Sequence, residues 1–236
     1  QIDRERGRTE AALAGLRLMV FLRPGEASWR IALGGLLADA GRLDEAITLF
    51  ERFVEQRPGD AQSRLRLAVL RHRRGAIRQA LLDYTTAWHL GARRTDVART
   101  IAGLHRRLAD DAQALAWLER IEDAADGEGA PDDRRLALRL RGRIARREGR
   151  IDEAARHVRR ALDLGDTDPS LHAFLGTWHY NAGRLEKAAD RLAHRLDVGP
   201  PDRDLHRLLL TALIETNDRD ALRRWLVRYV AWHGTD

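Results

Sequence analysis

The chain has 236 residues, with 42 basic and 36 acidic side chains and a formal net charge of +6. It contains no cysteine, which excludes disulfide scaffolds, thiolate zinc sites and cysteine nucleophiles. Its apolar runs are far shorter than the ~20 residues that a membrane span requires, so no direct span is expected. Alanine, leucine and arginine outnumber valine, isoleucine and threonine, and this composition favours an all-α protein.

A spacing of 34 residues runs along the chain. It links seven positions in two sets, with a slip of six residues between them: Gly7, Gly41, Gly75 and Ala109, then Gly149, Gly183 and Asn217. An alanine follows five residues after each of the first six positions, whereas Leu222 follows the seventh. Glycine adopts left-handed backbone angles without a Cβ clash, so we expect a turn between two helices at each of these positions.

The most regular stretch is residues 27–60. It contains Leu33-Gly34, Leu37, Gly41-Arg42-Leu43-Asp44-Glu45-Ala46, Phe50 and Pro58, and residues 149–154 and 183–188 repeat its central part. In these residues the chain resembles the tetratricopeptide repeat family, over nearly its whole length. The resemblance implies an all-α, right-handed superhelical solenoid of two-helix units. The alternative is an unrelated helical bundle whose spacing arises by chance.

The spacing also predicts the limits of the units. We expect a single solenoid over residues 1–236, in which residues 1–26 supply only the second helix of a partial unit. Six full units are expected at residues 27–60, 61–94, 95–134, 135–168, 169–202 and 203–236. The third of these is predicted to carry an insert near 127–132, with Pro131 as a break.

The resemblance implies that the first helix of each unit lines a concave groove, and this assigns candidate partner-binding residues by their position in the unit. The assigned residues are Arg66, His72, Arg73, Arg99, Arg106, Arg107, Arg139, Arg143, Arg146, Arg147 and Tyr180. The four arginines from 139 to 147 share one helical face, where like charges repel. Because arginine pairs bidentately with carboxylates, we expect a protein partner with an acidic segment.

The alternative for these arginines is a solvated face that reflects a genomic preference for arginine. In that case the acidic stretch from Asp111 to Arg134, with eight acidic and two basic residues, would serve as counter-charge.

Motifs for catalysis are absent from the sequence. It has no metalloprotease, phosphate-loop, dinucleotide or nucleophile-elbow signature, so we expect neither enzyme activity nor a cofactor. His172 and His179 are seven residues apart on one helical face. They lack an obvious third metal ligand, so packing or groove polarity is the preferred interpretation.

These observations predict a non-catalytic protein–protein interaction scaffold. In repeat style the chain also resembles the periplasmic region of bacterial exopolysaccharide export proteins, which implies recruitment of an enzyme to a secretion machine. One alternative is a cytoplasmic adaptor or regulator whose effector domain lies outside this sequence. An RNA-binding helical repeat is a weaker alternative, because such arrays have one more residue per unit and regular reader positions.

Both ends of the sequence carry more apolar residues than one neighbouring helix can cover. The first helix includes Phe21 and several other apolar residues. We therefore expect the array to continue on the N-terminal side of this helix. The last helix, which includes Val227, Val230 and Trp232, is expected to meet further repeats, a partner or a second copy of the chain. The alternative is that Trp232 folds back on Leu208, Leu209 and Ile214.

Overall fold

The computed structural model describes residues 2–124 and 130–234, and the side chains within 7–121 and 130–234. The described residues form thirteen α-helices and no strand. In chain order the helices are α1 Ile2–Leu22, α2 Ala27–Asp39, α3 Leu43–Gln56, α4 Ala61–Arg73, α5 Ile77–His89, α6 Thr95–Arg107, α7 Asp111–Ala124, α8 Pro131–Arg147, α9 Ile151–Asp163, α10 Pro169–Asn181, α11 Leu185–Val198, α12 Arg203–Glu215 and α13 Arg219–His233. The all-α repeat fold is therefore confirmed.

The chain divides into two compact units, an N-terminal unit of residues 1–121 and a C-terminal unit of residues 122–236. Within the N-terminal unit, α1 to α6 pack in sequence, each helix on the next. Within the C-terminal unit, α8 to α13 do the same. Each unit is thus a short stack of helix pairs, and the prediction of one uninterrupted solenoid stays a prediction.

Left-handed backbone angles mark the turn inside each pair. Positive φ occurs at Gly41, Gly75, Ala109, Gly149, Gly183 and Asn217, six of the seven positions that the 34-residue spacing selected. Glycine and asparagine tolerate this region, whereas alanine is strained there by its Cβ. Ala109, with φ of 59°, is therefore the strained member of the series.

The seventh position, Gly7, is where the prediction is wrong. The helix α1 begins at Ile2 and continues through Gly7, so no turn forms there. The flanking arginine, glutamate and alanine residues favour helix strongly enough to carry one glycine, at a cost of about 1 kcal/mol. On α1, Leu13 is fully buried, while Ala12, the alanine five residues after Gly7, is exposed.

Small residues lie where the two helices of a pair cross. A Cβ added to Gly34 would lie 2.2 Å from Phe50 Cε2, and one added to Gly176 would lie 2.7 Å from Leu192 Cγ. Ala68 and Ala102 occupy the equivalent positions and are buried. The close approach lets apolar side chains of neighbouring helices pack together, as in the buried clusters that contain Phe50 and Leu192.

Helix α8 begins at Pro131, four residues before the predicted start of the unit 135–168. Pro131 is the first residue of α8, a position where proline's missing N–H is harmless and its fixed φ suits the helix. Residues 131–134 thus add a turn to the first helix of the predicted unit 135–168. The rest of the predicted insert, residues 127–129, lies outside the described residues.

The last helix packs through its aromatic side chains rather than through its whole apolar surface. Trp225 is buried, and the rings of Trp225, Tyr229 and Trp232 surround the fully buried His206 of α12 at 5.2 to 5.6 Å. Trp232 thus folds back on His206, while Ile214 stays exposed. On the other side of α13, Val227 is 71% exposed.

The first helix leaves its C-terminal end uncovered in the same way, since Phe21 is 80% exposed. Self-association through these ends stays a prediction. None of the described helices combines the length and the apolar composition needed to cross a bilayer.

Candidate functional site

The predicted partner-binding residues all lie on the first helices of the pairs. We call the surface of α2, α4 and α6 the N-terminal first-helix face, and that of α8, α10 and α12 the C-terminal first-helix face. Two hydrogen bonds join the last turns of successive first helices. Arg73 Nη2 donates to the Ala38 carbonyl at 3.4 Å, and Tyr180 Oη donates to Glu215 Oε1 at 3.4 Å. These two contacts join neighbouring first helices, while the assignment of the eleven residues to a concave groove stays a prediction.

The N-terminal first-helix face carries six of the eleven predicted residues. Arg66, Arg106 and Arg107 are exposed, and none of the three forms an ion pair within the described chain. Arg73 is exposed and lies 3.8 Å from Asp39 Oδ1. Arg99 is also exposed but makes a further polar contact. His72 is half-buried, with its ring edge-on to Tyr84 at 6.2 Å.

The C-terminal first-helix face carries the other five, and one of them has a different role. Arg139 Nη1 donates to Asp168 Oδ2 at 3.0 Å, and its Nε lies 3.2 Å from Asp166 Oδ2. Burial raises the pKa of Asp168, but hydrogen bonds from Ser170 and Arg139 outweigh it and hold that pKa below its ordinary value. Arg139 therefore fastens α8 to the loop before α10, and its guanidinium is occupied.

The other three predicted arginines of α8, Arg143, Arg146 and Arg147, are exposed but not isolated. Arg146 lies over the Phe174 ring at 5.9 Å. Arg143 and Arg147 each make a further contact of their own. The predicted arginines are thus divided between the two units. In each unit, only some of them have a guanidinium group that is free to meet a partner.

A second polar cluster, which the sequence analysis missed, lies in the seam between α3, α4 and α5. We call it the N-terminal network, and its members are Glu51, Arg64, Arg71 and Asp83. Arg71 donates to Asp83 Oδ2 at 2.5 Å and to Glu51 Oε1 at 2.6 Å, and Arg64 Nη1 donates to Asp83 Oδ1 at 3.4 Å. Asp83 is only 1% exposed. Two cations and two carboxylates therefore neutralise one another in a largely buried seam.

The equivalent seam of the C-terminal unit, between α9, α10 and α11, contains different residues. Its four matching positions lie 108 residues further on, which is three repeats of 34 plus the slip of six. They are occupied by Arg159, His172, His179 and Arg191. Together with Lys187, Asp190 and His194 they line an open cavity of about 610 Å³, which we call the C-terminal pocket.

Contacts inside the C-terminal pocket involve mainly the histidines. Arg191 Nη1 lies 3.5 Å from His172 Nδ1, and the His172 and His194 rings are 4.1 Å apart. Burial, together with nearby His194 and Arg191, lowers the pKa of His172 to about 4. Among the described residues no group of three or more side chains has the arrangement of a metal site.

Sequence comparison decides the family. Models of the tetratricopeptide repeat match residues 27–70, 113–169 and 145–228, which together cover more than half of the chain. The chain belongs to the tetratricopeptide repeat (TPR) family. TPR folds support protein–protein interaction, and TPR proteins are generally non-catalytic scaffolds. None of the curated proteins matches this TPR chain by sequence.

Solved structures show the same fold. PilF of Pseudomonas aeruginosa is 16% identical with a TM-score of 0.55, and the match covers 88% of this chain and 91% of PilF. YrrB, described as a TPR protein with an unusual peptide-binding site, is 18% identical with a TM-score of 0.59, over 84% of this chain and 96% of YrrB. A chain of the Naa15/Naa10 complex bound to HypK-THB is 18% identical with a TM-score of 0.62, over 98% of this chain and 35% of that one.

Proposed function

We propose that this TPR chain is a non-catalytic scaffold whose first-helix faces dock an acidic segment of a partner protein. The observation that supports the proposal most directly is the state of Arg66, Arg106 and Arg107. All three are exposed on first helices of one unit and form no ion pair with any described residue. Their guanidinium groups are therefore available for bidentate pairing with carboxylates supplied from outside.

The helix dipole offers a partial alternative explanation. Arg106 and Arg107 lie in the last turn of α6, where positive charge is stabilising by about 0.3–1 kcal/mol. Arg66 lies near the middle of α4, so the dipole does not account for it. Like charges thus occur both at a helix end and in the middle of a helix. Binding of an acidic partner accounts for both positions, whereas the helix dipole accounts only for the first.

The C-terminal first-helix face is the weaker candidate for a docking surface of its own. Arg139 is already bound to Asp166 and Asp168, so we leave it out. Arg146 is exposed, and its contact with Phe174 holds it at the surface. We therefore place the stronger docking site on α4 and α6.

A defined peptide tests the proposal. A fluorescent peptide rich in Asp and Glu is titrated by anisotropy against its Asn and Gln counterpart. The pair Arg106→Glu and Arg107→Glu should weaken binding of the acidic peptide by about tenfold or more and flatten its salt dependence. The control pair Arg223→Glu and Arg224→Glu changes net charge equally on exposed residues of α13, and it should leave affinity near wild type.

Equal losses in the two double variants would contradict a specific docking face. Tighter binding of single-stranded RNA than of the acidic peptide, with steep salt dependence, would instead favour the RNA-binding alternative.

Participation in a bacterial exopolysaccharide secretion machine, and a periplasmic location, stay predictions from the resemblance. Flanking sequence tests them directly. A following stretch of alternating β-strands would favour the export protein, and a helix-turn-helix would favour the adaptor or regulator.

A further inference from the structure

The N-terminal network shows how charges are balanced in this seam between helices. Two arginines reach into it from α4, and two carboxylates, Glu51 and Asp83, accept their hydrogen bonds. Asp83 is almost completely buried, yet its charge is compensated on both oxygens. A buried cation without such a partner is strongly destabilising, so the carboxylates are integral to the arrangement.

The C-terminal pocket has the same positions without the carboxylates. Arg159 occupies the position of Glu51, and Arg191 occupies the position of Asp83. Lys187, the single lysine of the chain, adds a third cation from α11. Within the described parts of the chain, none of these three cations lies within ion-pair distance of a carboxylate, Asp190 included.

We propose that the C-terminal pocket binds a phosphate dianion, either free or as the head of a small phosphate monoester. Apart from the histidines, the three cations and one carboxylate leave two positive charges around the cavity. One phosphate dianion balances that charge, and its oxygens accept several charge-assisted hydrogen bonds from arginine and lysine. It would supply the negative charge that Glu51 and Asp83 supply in the N-terminal network.

His179 adds to the electrostatic argument for an anion in the C-terminal pocket. This side chain lines the cavity and is only 7% exposed, and its Nδ1 is buried without a hydrogen-bond partner. Burial and then the nearby cations Arg184, Lys187, Arg191 and Arg159 lower its pKa. The histidine thus sits in an excess of positive charge, which an anion would relieve.

The size of the pocket indicates how much of a ligand it can hold. Its volume of about 610 Å³ lies within the range of roughly 300–1,000 Å³ that is usual for small-molecule sites. Gly176 helps to set the distance between the helices α10 and α11 that line the pocket, because the absent Cβ lets α10 approach Leu192 of α11.

Calorimetric titration with inorganic phosphate, in a buffer free of other oxyanions and near neutral pH, tests the proposal. Saturable binding is expected in the wild-type chain. Lys187→Gln, which copies Gln79 at the equivalent N-terminal position, should weaken it about tenfold. Arg191→Asp, which copies Asp83, should abolish it. Arg223→Gln removes one exposed charge elsewhere in the same unit and should leave binding unchanged.

Further ligands identify the source of the phosphate. Phenyl phosphate that competes with inorganic phosphate and binds more tightly would indicate a monoester site, and weaker binding would indicate free phosphate. Acetate that binds as tightly as phosphate would overturn the proposal. So would the absence of saturable phosphate binding, or equal weakening by Lys187→Gln and Arg223→Gln.

Lys187 is exposed, so its substitution tests the site even if Arg191→Asp perturbs the fold, which circular dichroism monitors. The pocket shares no residue with the docking surface on α4 and α6. Failure of phosphate binding therefore leaves the proposed scaffold function standing, and the reverse also holds.

Discussion

The two units of this TPR chain have the same helix pairing but different charges in equivalent seams. In the N-terminal unit the seam contains Asp83, a carboxylate that two arginines neutralise. In the C-terminal unit the same position contains Arg191, beside two histidines. Turn and crossing positions are shared because the backbone requires them. The seam positions are not required by the backbone, and this is where one unit acquires a binding pocket while the other acquires a salt-bridge network.

The largest difference in stability between the two seams should appear when a carboxylate is removed from each. Asp83→Ala leaves Arg64 and Arg71 without their buried partner, and we expect it to destabilise the N-terminal unit by about 3–5 kcal/mol. Asp190→Ala, in the C-terminal pocket, removes an exposed carboxylate and should change stability by less than about 0.5 kcal/mol. Urea unfolding of both variants measures the difference. Similar losses would show that the N-terminal network is not a distinct structural element.

Crossing positions should behave alike in the two units. Gly34→Ala and Gly176→Ala place a Cβ against Phe50 and Leu192, so each should cost roughly 1–3 kcal/mol. Gly35→Ala is the matched control, because no side-chain atom lies within 4 Å of its added Cβ. That variant should gain about 0.5–1 kcal/mol from helix propensity. A neutral Gly34→Ala in thermal unfolding would contradict the close crossing.

The turn residues should differ modestly between the units. Ala109→Gly relieves a left-handed alanine and should stabilise the N-terminal unit by about 1 kcal/mol. Asn217→Gly, at the equivalent turn of the C-terminal unit, should gain less, because asparagine already tolerates this conformation. Differential scanning calorimetry of the two variants gives the comparison, and a destabilising Ala109→Gly would contradict the assigned backbone.

Acid should weaken the C-terminal unit through its histidines. The pKa of His172 is lowered to about 4, and burial lowers those of His179 and His206. Because the unfolded histidines accept protons near pH ~6.5, this contribution is complete above that pH and is lost as the pH falls toward 4. The effect is small for His172, which is partly solvated, so the melting temperature should decline gently. His172→Gln should flatten that decline, and an unchanged slope would contradict the assignment.

The sequence predicted the repeat and most of the turn positions, because these positions recur at a fixed spacing. It misplaced Gly7, since a lone glycine does not stop a helix whose neighbours all favour it. It also read Pro131 as a break, although proline at the first position of α8 begins a helix. Local sequence signals of this kind have two structural outcomes, and the surrounding helix propensities decide between them.

The candidate sites were less accessible to sequence reasoning. The predicted groove position of Arg139 did not reveal its contacts with Asp166 and Asp168, which come from a loop nearly thirty residues away. The C-terminal pocket is not apparent from the spacing of His172 and His179 alone. At an offset of 108 residues these histidines align with Arg64 and Arg71, while Arg159 and Arg191 replace the carboxylates Glu51 and Asp83.

The most direct test of the contrast between the two seams follows the histidine imidazoles by ¹H–¹⁵N NMR during a phosphate titration. The account predicts that the signals of His172, His179 and His194 shift with saturation, while those of His72 and His89 in the N-terminal unit do not. Shifts of equal size in both units, or none in either, would contradict the claim that the C-terminal seam is a phosphate site and the N-terminal seam is not.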